Sequence, residues 1–320
     1  MAIKLFETEK KPLRGLLTVE WVVLGYLVLT LLLILFTSTK MPDSEVLIWG
    51  RIKVVALTAA MWAVYRMYPC RFTLFCRIVV QMLLLPWWYP DTYSLNRIFP
   101  NLDHLFATYE QHLFGCQPAL LFSQAISHPV FSELMHLGYA SYFPMIALVA
   151  VFYFFWRYQE FYRTVFVILS SFFLYYLIFI FLPVTGPQYY YAAVGLDDIA
   201  QGVFPNLHDY FATHDEALTM PGYSEGFFYQ CVESAHTTGE RPTAAFPSSH
   251  VGISTILLLL IWRAKNRWLF YGLLPFYVLM CLATVYIRAH YAIDVLAGWV
   301  SAALFYVLLQ SFWTMTKRTY

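Results

Sequence analysis

Apolar runs long enough to cross a bilayer recur along nearly all of this 320-residue chain. A spanning helix needs about 20 mostly apolar residues, because hydrocarbon offers no partner for an open backbone group. Eight segments approach that length: 16–37, 46–67, 72–89, 129–156, 161–183, 250–263, 268–288 and 291–312. The third and sixth are short, and the sixth must take its first turn from the loop before it. The runs are apolar on every face, whereas barrel strands would alternate apolar and polar residues. Hydrophobic residues make up 60% and charged residues 12%, too few charges to cover a water-facing surface. The same figures exclude a disordered chain. A net charge of +1 excludes nucleic acid as a partner, which would demand a basic face. The expected fold is all-α: a single membrane domain, 1–320, of about eight transmembrane helices, with the bilayer as its first partner.

Basic residues set an orientation by the positive-inside rule. Lys4, Lys10, Lys11 and Arg14 precede the first run, and Arg66 and Arg71 join the second to the third. Arg157 and Arg163 join the fourth to the fifth, Arg263, Lys265 and Arg267 the sixth to the seventh, and Lys317 and Arg318 follow the eighth. Thirteen of the twenty Lys and Arg thus fall on one face, expected to be cytoplasmic, with both termini. Two long loops, 90–128 and 184–249, then lie on the outer (periplasmic or lumenal) face. The first carries an amphipathic helix over 101–122, with Leu102, Leu105, Phe106, Tyr109 and Leu113 near helical spacing, expected to lie on the membrane surface or cap the bundle. The second is too long to stay structureless and is expected to fold as a lid. Cys116 and Cys231 both fall in these loops; no spacing pattern suggests zinc.

The chemistry-bearing residues lie between Arg241 and Gly298. Pro247-Ser248-Ser249-His250 opens an apolar helix, and a helix start offers free N–H groups and the positive dipole end to an anion such as phosphate. Further on, His290 and Asp294 are four apart, so on a helix they share a face. A carboxylate at one imidazole nitrogen sets the tautomer and leaves the other nitrogen as nucleophile or base. The span order puts His250 and His290 at the same membrane face. Arg288 is the nearest cation, and Arg241, on the loop entering the Pro-Ser-Ser-His turn, is the second. A His/Asp pair could bind metal, but no third ligand stands at suitable spacing. His104, His112, His128, His208 and His214 read as ordinary interfacial or loop histidines, while His136 and His236 stay open.

Pro247-Ser248-Ser249-His250 followed by His290-Tyr291-Ala292-Ile293-Asp294 resembles the second and third motifs of the type 2 phosphatidic acid phosphatase superfamily. The likeness is greatest to its inositol phosphorylceramide synthase (aureobasidin-resistance) and sphingomyelin synthase-like branch. It implies that His290 attacks phosphorus and forms a phosphohistidine, that Asp294 orients it, and that His250 protonates the leaving oxygen. Phosphatase members carry an arginine six residues before the nucleophile, where this chain has Thr284. They also carry an upstream Lys and Arg-Pro motif, where it has Ser234 and Arg241-Pro242. Leu182-Pro183-Val184-Thr185-Gly186-Pro187 looks like the proline-containing segment of the synthase-like branch, in which His/Tyr positions similar to His136, Tyr139 and Tyr142 line the lipid site.

The catalytic expectation is therefore His290, His250 and Asp294 on helices spanning 245–312, the last three spans. Ser248, Ser249, Arg288, Arg241, His136 and Tyr142 would hold phosphate or lipid. The resemblance implies no metal or organic cofactor, a phospholipid donor such as phosphatidylinositol, and a ceramide-like sphingolipid or water as acceptor. A lipid phosphate phosphatase is the nearest alternative. A non-catalytic transporter or scaffold that holds an anionic headgroup is the alternative of another class.

Overall fold

The computed structural model describes residues 5–10, 12–239 and 241–318. Among these, the β structure amounts to one isolated bridge, between Thr8 and Cys70; everything else that is regular is helical. In chain order the helices are α1 (Thr18–Thr37), α2 (Ser44–Met67), α3 (Arg71–Leu83), α4 (Leu85–Asn96), α5 (Asp103–Phe114), α6 (Pro118–Ala125), α7 (Pro129–Ala140), α8 (Tyr142–Trp156) and α9 (Tyr158–Phe181). They continue with α10 (Pro187–Val194), α11 (Leu196–Ala200), α12 (Phe227–Gly239), α13 (Ser249–Arg263), α14 (Arg267–Tyr286) and α15 (Ala292–Arg318).

Among the described residues, six stretches are long and apolar enough to cross a membrane, and a seventh arises if α7 and α8, bent by 45°, form one span. The chain is a multi-pass integral membrane protein. The bend has a local cause, since Pro144 in the first turn of α8 removes a backbone donor and Ser141 turns its hydroxyl onto the Gly138 carbonyl at 2.6 Å. The expectation of eight spans exceeds this count by α13. Its 15 residues rise about 22 Å, short of the ~30 Å hydrocarbon layer.

α9 is the central helix. It is apolar all round, 78% of its spanning window is buried, and it packs on α1, α4, α8, α13 and α15. Around it α13 lies against both α14 and α15, and α14 against α7. Two ion pairs lock the N-terminal helices. Arg77 meets Glu20 of α1 at 2.5 Å with both side chains fully buried, and Arg51, buried within α2, meets Asp91 at 3.1 Å.

The two long loops are folded rather than open. The 101–122 stretch breaks into α5 and α6 at Gly115, whose φ of 70° ends α5. The 184–249 loop contains α10, α11 and α12. α12 docks on α7, where Glu133 accepts the N–H groups of Phe228 and Tyr229 at 2.9 and 3.0 Å. Cys116 and Cys231 are both free thiols.

Candidate active site

Four chain segments converge where α13 and α15 begin. The first is the entry to α13. Ser248 is its N-cap, with its hydroxyl accepting from Val251 N–H at 3.4 Å, which places His250 in the first turn. The second is the α14–α15 connection. α14 ends at Tyr286, Arg288 takes a left-handed conformation at φ 66°, and the chain turns so that the His290 N–H returns to the Thr284 carbonyl at 3.0 Å. Thr284, six residues before His290, is thus buried and its carbonyl anchors the His290 turn. The third segment, Leu182–Pro187, knits the first two together. Val184 O accepts from Ala245 N–H, and Gln188 N–H donates to Arg288 O, both at 2.9 Å. Gly186, at φ 93°, sits so near the Ala289 carbonyl that a Cβ would stand 2.8 Å from it, so glycine is required there. The fourth is α5.

His290 is 3% exposed and Asp294 fully buried. His290 Nδ1 lies 2.7 Å from the Ala245 carbonyl and 3.4 Å from Asp294 Oδ2. Both neighbours are acceptors, so Nδ1 carries the proton and the neutral ring presents a lone pair at Nε2. That nitrogen faces His250 Nδ1 at 3.5 Å. The sequence had assigned the tautomer to Asp294 alone, whereas the shorter contact is to Ala245. Asp294 has a second task. At the third position of α15 its Oδ2 accepts the Tyr291 N–H at 2.9 Å, closing the helix start in the manner of a capping box. Its own carbonyl accepts from Ser248 N–H at 3.1 Å, so the two motifs are joined through backbone.

The remaining expected residues divide. Tyr142 packs on the His250 ring at 4.4 Å, Tyr139 stacks on it at 4.7 Å, and Ser249 O faces the Tyr142 hydroxyl at 3.5 Å. His136 is fully buried one turn away, its Nδ1 on Ser132 O at 2.8 Å and its ring 4.9 Å from that of Tyr229. Arg288 leaves the helix, as access to the site requires. Its guanidinium is partly buried, with Nε lacking a hydrogen-bond partner, and desolvation lowers its pKa. Ser248 is fully buried and its hydroxyl serves the cap, which leaves its N–H and Oγ committed to protein partners. Arg241 pairs instead with Asp215 at 3.7 Å, its side chain 48% exposed.

Two residues that the sequence reading missed complete the arrangement, Asp103 and Glu110, both fully buried on α5. Asp103 is a hub of five donors. Oδ2 accepts Asn101 Nδ2 at 2.6 Å, Thr185 N–H at 2.7 Å and the Thr185 hydroxyl at 2.9 Å. Oδ1 accepts Gly186 N–H at 2.8 Å and the Tyr291 hydroxyl at 3.0 Å. Burial pushes its carboxyl up and these donors oppose the shift. Glu110 Oε2 accepts Ile293 N–H at 3.2 Å. The available signal was the i, i+4, i+7 spacing of Asp103, Ala107 and Glu110, the helix face opposed to the apolar one chosen from sequence.

Two facing imidazoles and a buried carboxylate, set where helices of a membrane bundle begin, define a membrane-embedded site suited to nucleophilic chemistry on an anionic group. The PAP2 superfamily model matches residues 104–308, well over half of the chain. The chain belongs to that superfamily and is a membrane enzyme, a lipid phosphatase or phosphotransferase. The match is to the superfamily and selects no branch of it. No curated protein and no solved structure matches the chain.

Proposed function

We propose that the enzyme transfers a phosphorus-centred headgroup from a phospholipid to a lipid hydroxyl, with phosphatidylinositol as donor and a ceramide-like sphingolipid as acceptor. The observation that carries the mechanism is the 3.5 Å approach of His290 Nε2 to His250 Nδ1, with His290 Nδ1 already held by two acceptors. His290 Nε2 attacks phosphorus and the N–P bond forms as the P–O bond to diacylglycerol breaks. His250 gives its Nδ1 proton to the departing alkoxide. In the second half the acceptor hydroxyl loses its proton to His250, attacks phosphorus and releases His290. Positive charge on His290 in the intermediate is balanced by Asp294 and the Ala245 carbonyl. Arg288 and the amides at the start of α13 face the phosphate oxygens, and His136 and Tyr142 line the lipid side.

The charge count supports placing the site on the outer face with both termini cytoplasmic. The lengths of 90–128 and 184–249 support a cap and a lid over the 245–312 helices. The test is an assay in mixed micelles with labelled phosphatidylinositol, with and without ceramide, following lipid products and free phosphate, with His290→Ala as blank. A ceramide-dependent inositol phosphosphingolipid, absent in the variant, is the expected result. Release of free phosphate from phosphatidate regardless of ceramide would replace this reading by a phosphatase, with water as acceptor.

A further inference from the structure

The N–H groups that open a helix have no partner within it, and at α15 they are met by carboxylates from two elements. Asp294, on α15 itself, takes the Tyr291 amide. Glu110, reaching across from α5, takes the Ile293 amide at 3.2 Å, and the Ala292 amide also points to it. Each acid leaves one buried oxygen without a hydrogen-bond partner, Glu110 Oε1 and Asp294 Oδ1. Two carboxyl groups buried at one helix start do not both ionise readily, because each charge is desolvated and repels the other. The arrangement therefore suits one negative charge and one proton.

We propose that Glu110 is a positioning residue for the catalytic pair: as a neutral acid it caps α15 and leaves Asp294 the single carboxylate behind His290. When Glu110 ionises, a second negative charge enters a site that must hold a phosphate anion, and turnover falls. This inference rests on the reading of His290 as nucleophile with Asp294 at its Nδ1.

The surroundings of Glu110 agree. Asp103 shares its helix face but is saturated by five donors. Asp294 faces it from the start of α15, and Tyr191, held neutral by burial, faces it from α10. Tyr191 in turn interacts with the Arg288 guanidinium. Burial, then the Asp294 charge, pushes Glu110 up to about 8. Glu110 is thus neutral below that pH and charged above it, so activity is expected to decline through this range.

Glu110→Gln keeps an acceptor oxygen for the Ile293 amide but cannot ionise. In the micelle assay its kcat/KM is expected to lack the fall through pH 8 seen in the wild type. Glu110→Ala, which loses the cap, is expected to drop about 10- to 100-fold at every pH as Asp294 shifts, and Glu110→Gln is expected to recover much of that loss at neutral pH. An unchanged alkaline limb in Glu110→Gln, or wild-type turnover in Glu110→Ala, overturns the proposal. A readout that needs neither variant nor substrate is the infrared carbonyl band of a protonated carboxyl in the wild-type protein. It should be present at neutral pH and lost on titration through pH 8; its absence at neutral pH also overturns the proposal. An active His290→Ala would instead sink the nucleophile reading beneath it. An inactive His290→Ala beside an unaltered limb in Glu110→Gln sinks the Glu110 role alone.

Discussion

His290 is held at one nitrogen by two acceptors of different kinds, and this separates tautomer from charge. The Ala245 carbonyl at 2.7 Å keeps the proton on Nδ1 whatever stands at position 294. Asp294→Asn is therefore expected to lose charge stabilisation but not ring orientation, a cost of about 2–3 kcal/mol in the barrier. Single-turnover kinetics should show roughly a hundredfold slowing, and a loss as large as that of His290→Ala would refute the division. His250 offers a sharper test of proton transfer. With natural lipids, His250→Ala is expected to slow the first half-reaction by about 10²–10⁴-fold. With a nitrophenyl-type leaving group, which departs unprotonated, most of that loss should vanish. His250, His290 and Asp294 were legible in the sequence because their signals are local, a helix start and an i, i+4 pair. Asp103 and Glu110 were not, because their partners at Thr185, Gly186, Tyr291 and Ile293 lie 82 to 188 positions away.

At the scale of elements, the site depends on how closely α13 and α15 cross. A Cβ at Gly298 would stand 2.9 Å from the Ser248 carbonyl and 3.1 Å from the Val251 Cβ. Gly298→Leu is expected to push the helices apart, costing about 1–3 kcal/mol. The same movement separates His250 from His290, so kcat should fall further than the melting temperature suggests. Melting and turnover measured on the same detergent preparation decide this, and a variant with normal kcat would show that the crossing does not set the distance. α5 gives the complementary lesson. Leu105, Tyr109 and Leu113 are 40%, 61% and 61% exposed while Asp103 and Glu110 are buried, so the helix turns its polar side to the protein. An amphipathic pattern describes a helix on either side of a lipid boundary equally well. Only packing says which face meets protein.

For the molecule as a whole, the N-terminal helices are held to one another by charge as well as by apolar contact, through Glu20–Arg77 between α1 and α3 and Arg51–Asp91 between α2 and α4. Arg77→Met leaves Glu20 buried without its partner, which is expected to destabilise by about 3–5 kcal/mol. The double variant Glu20→Leu with Arg77→Met should recover most of that loss. Thermal unfolding in detergent tests both, and an unaffected single variant would mean the pair contributes little. Sidedness is tested in a cysteine-free background. A cysteine at Asn266 and one at His214 should react with an impermeant maleimide from opposite faces of sealed vesicles; labelling from one face would refute the proposed topology. The sequence by itself determined that the chain is a helical membrane protein and where most of its spans lie, and it singled out His250, His290 and Asp294 as site candidates. A bilayer forces each span to satisfy its backbone locally, and both motifs are written within a few turns. Tertiary structure alone decided that Ala245 holds His290, that Arg241 goes to Asp215, and that α5 supplies two buried acids. These depend on contacts between distant segments, where a carboxylate goes to whichever donors the packing leaves open.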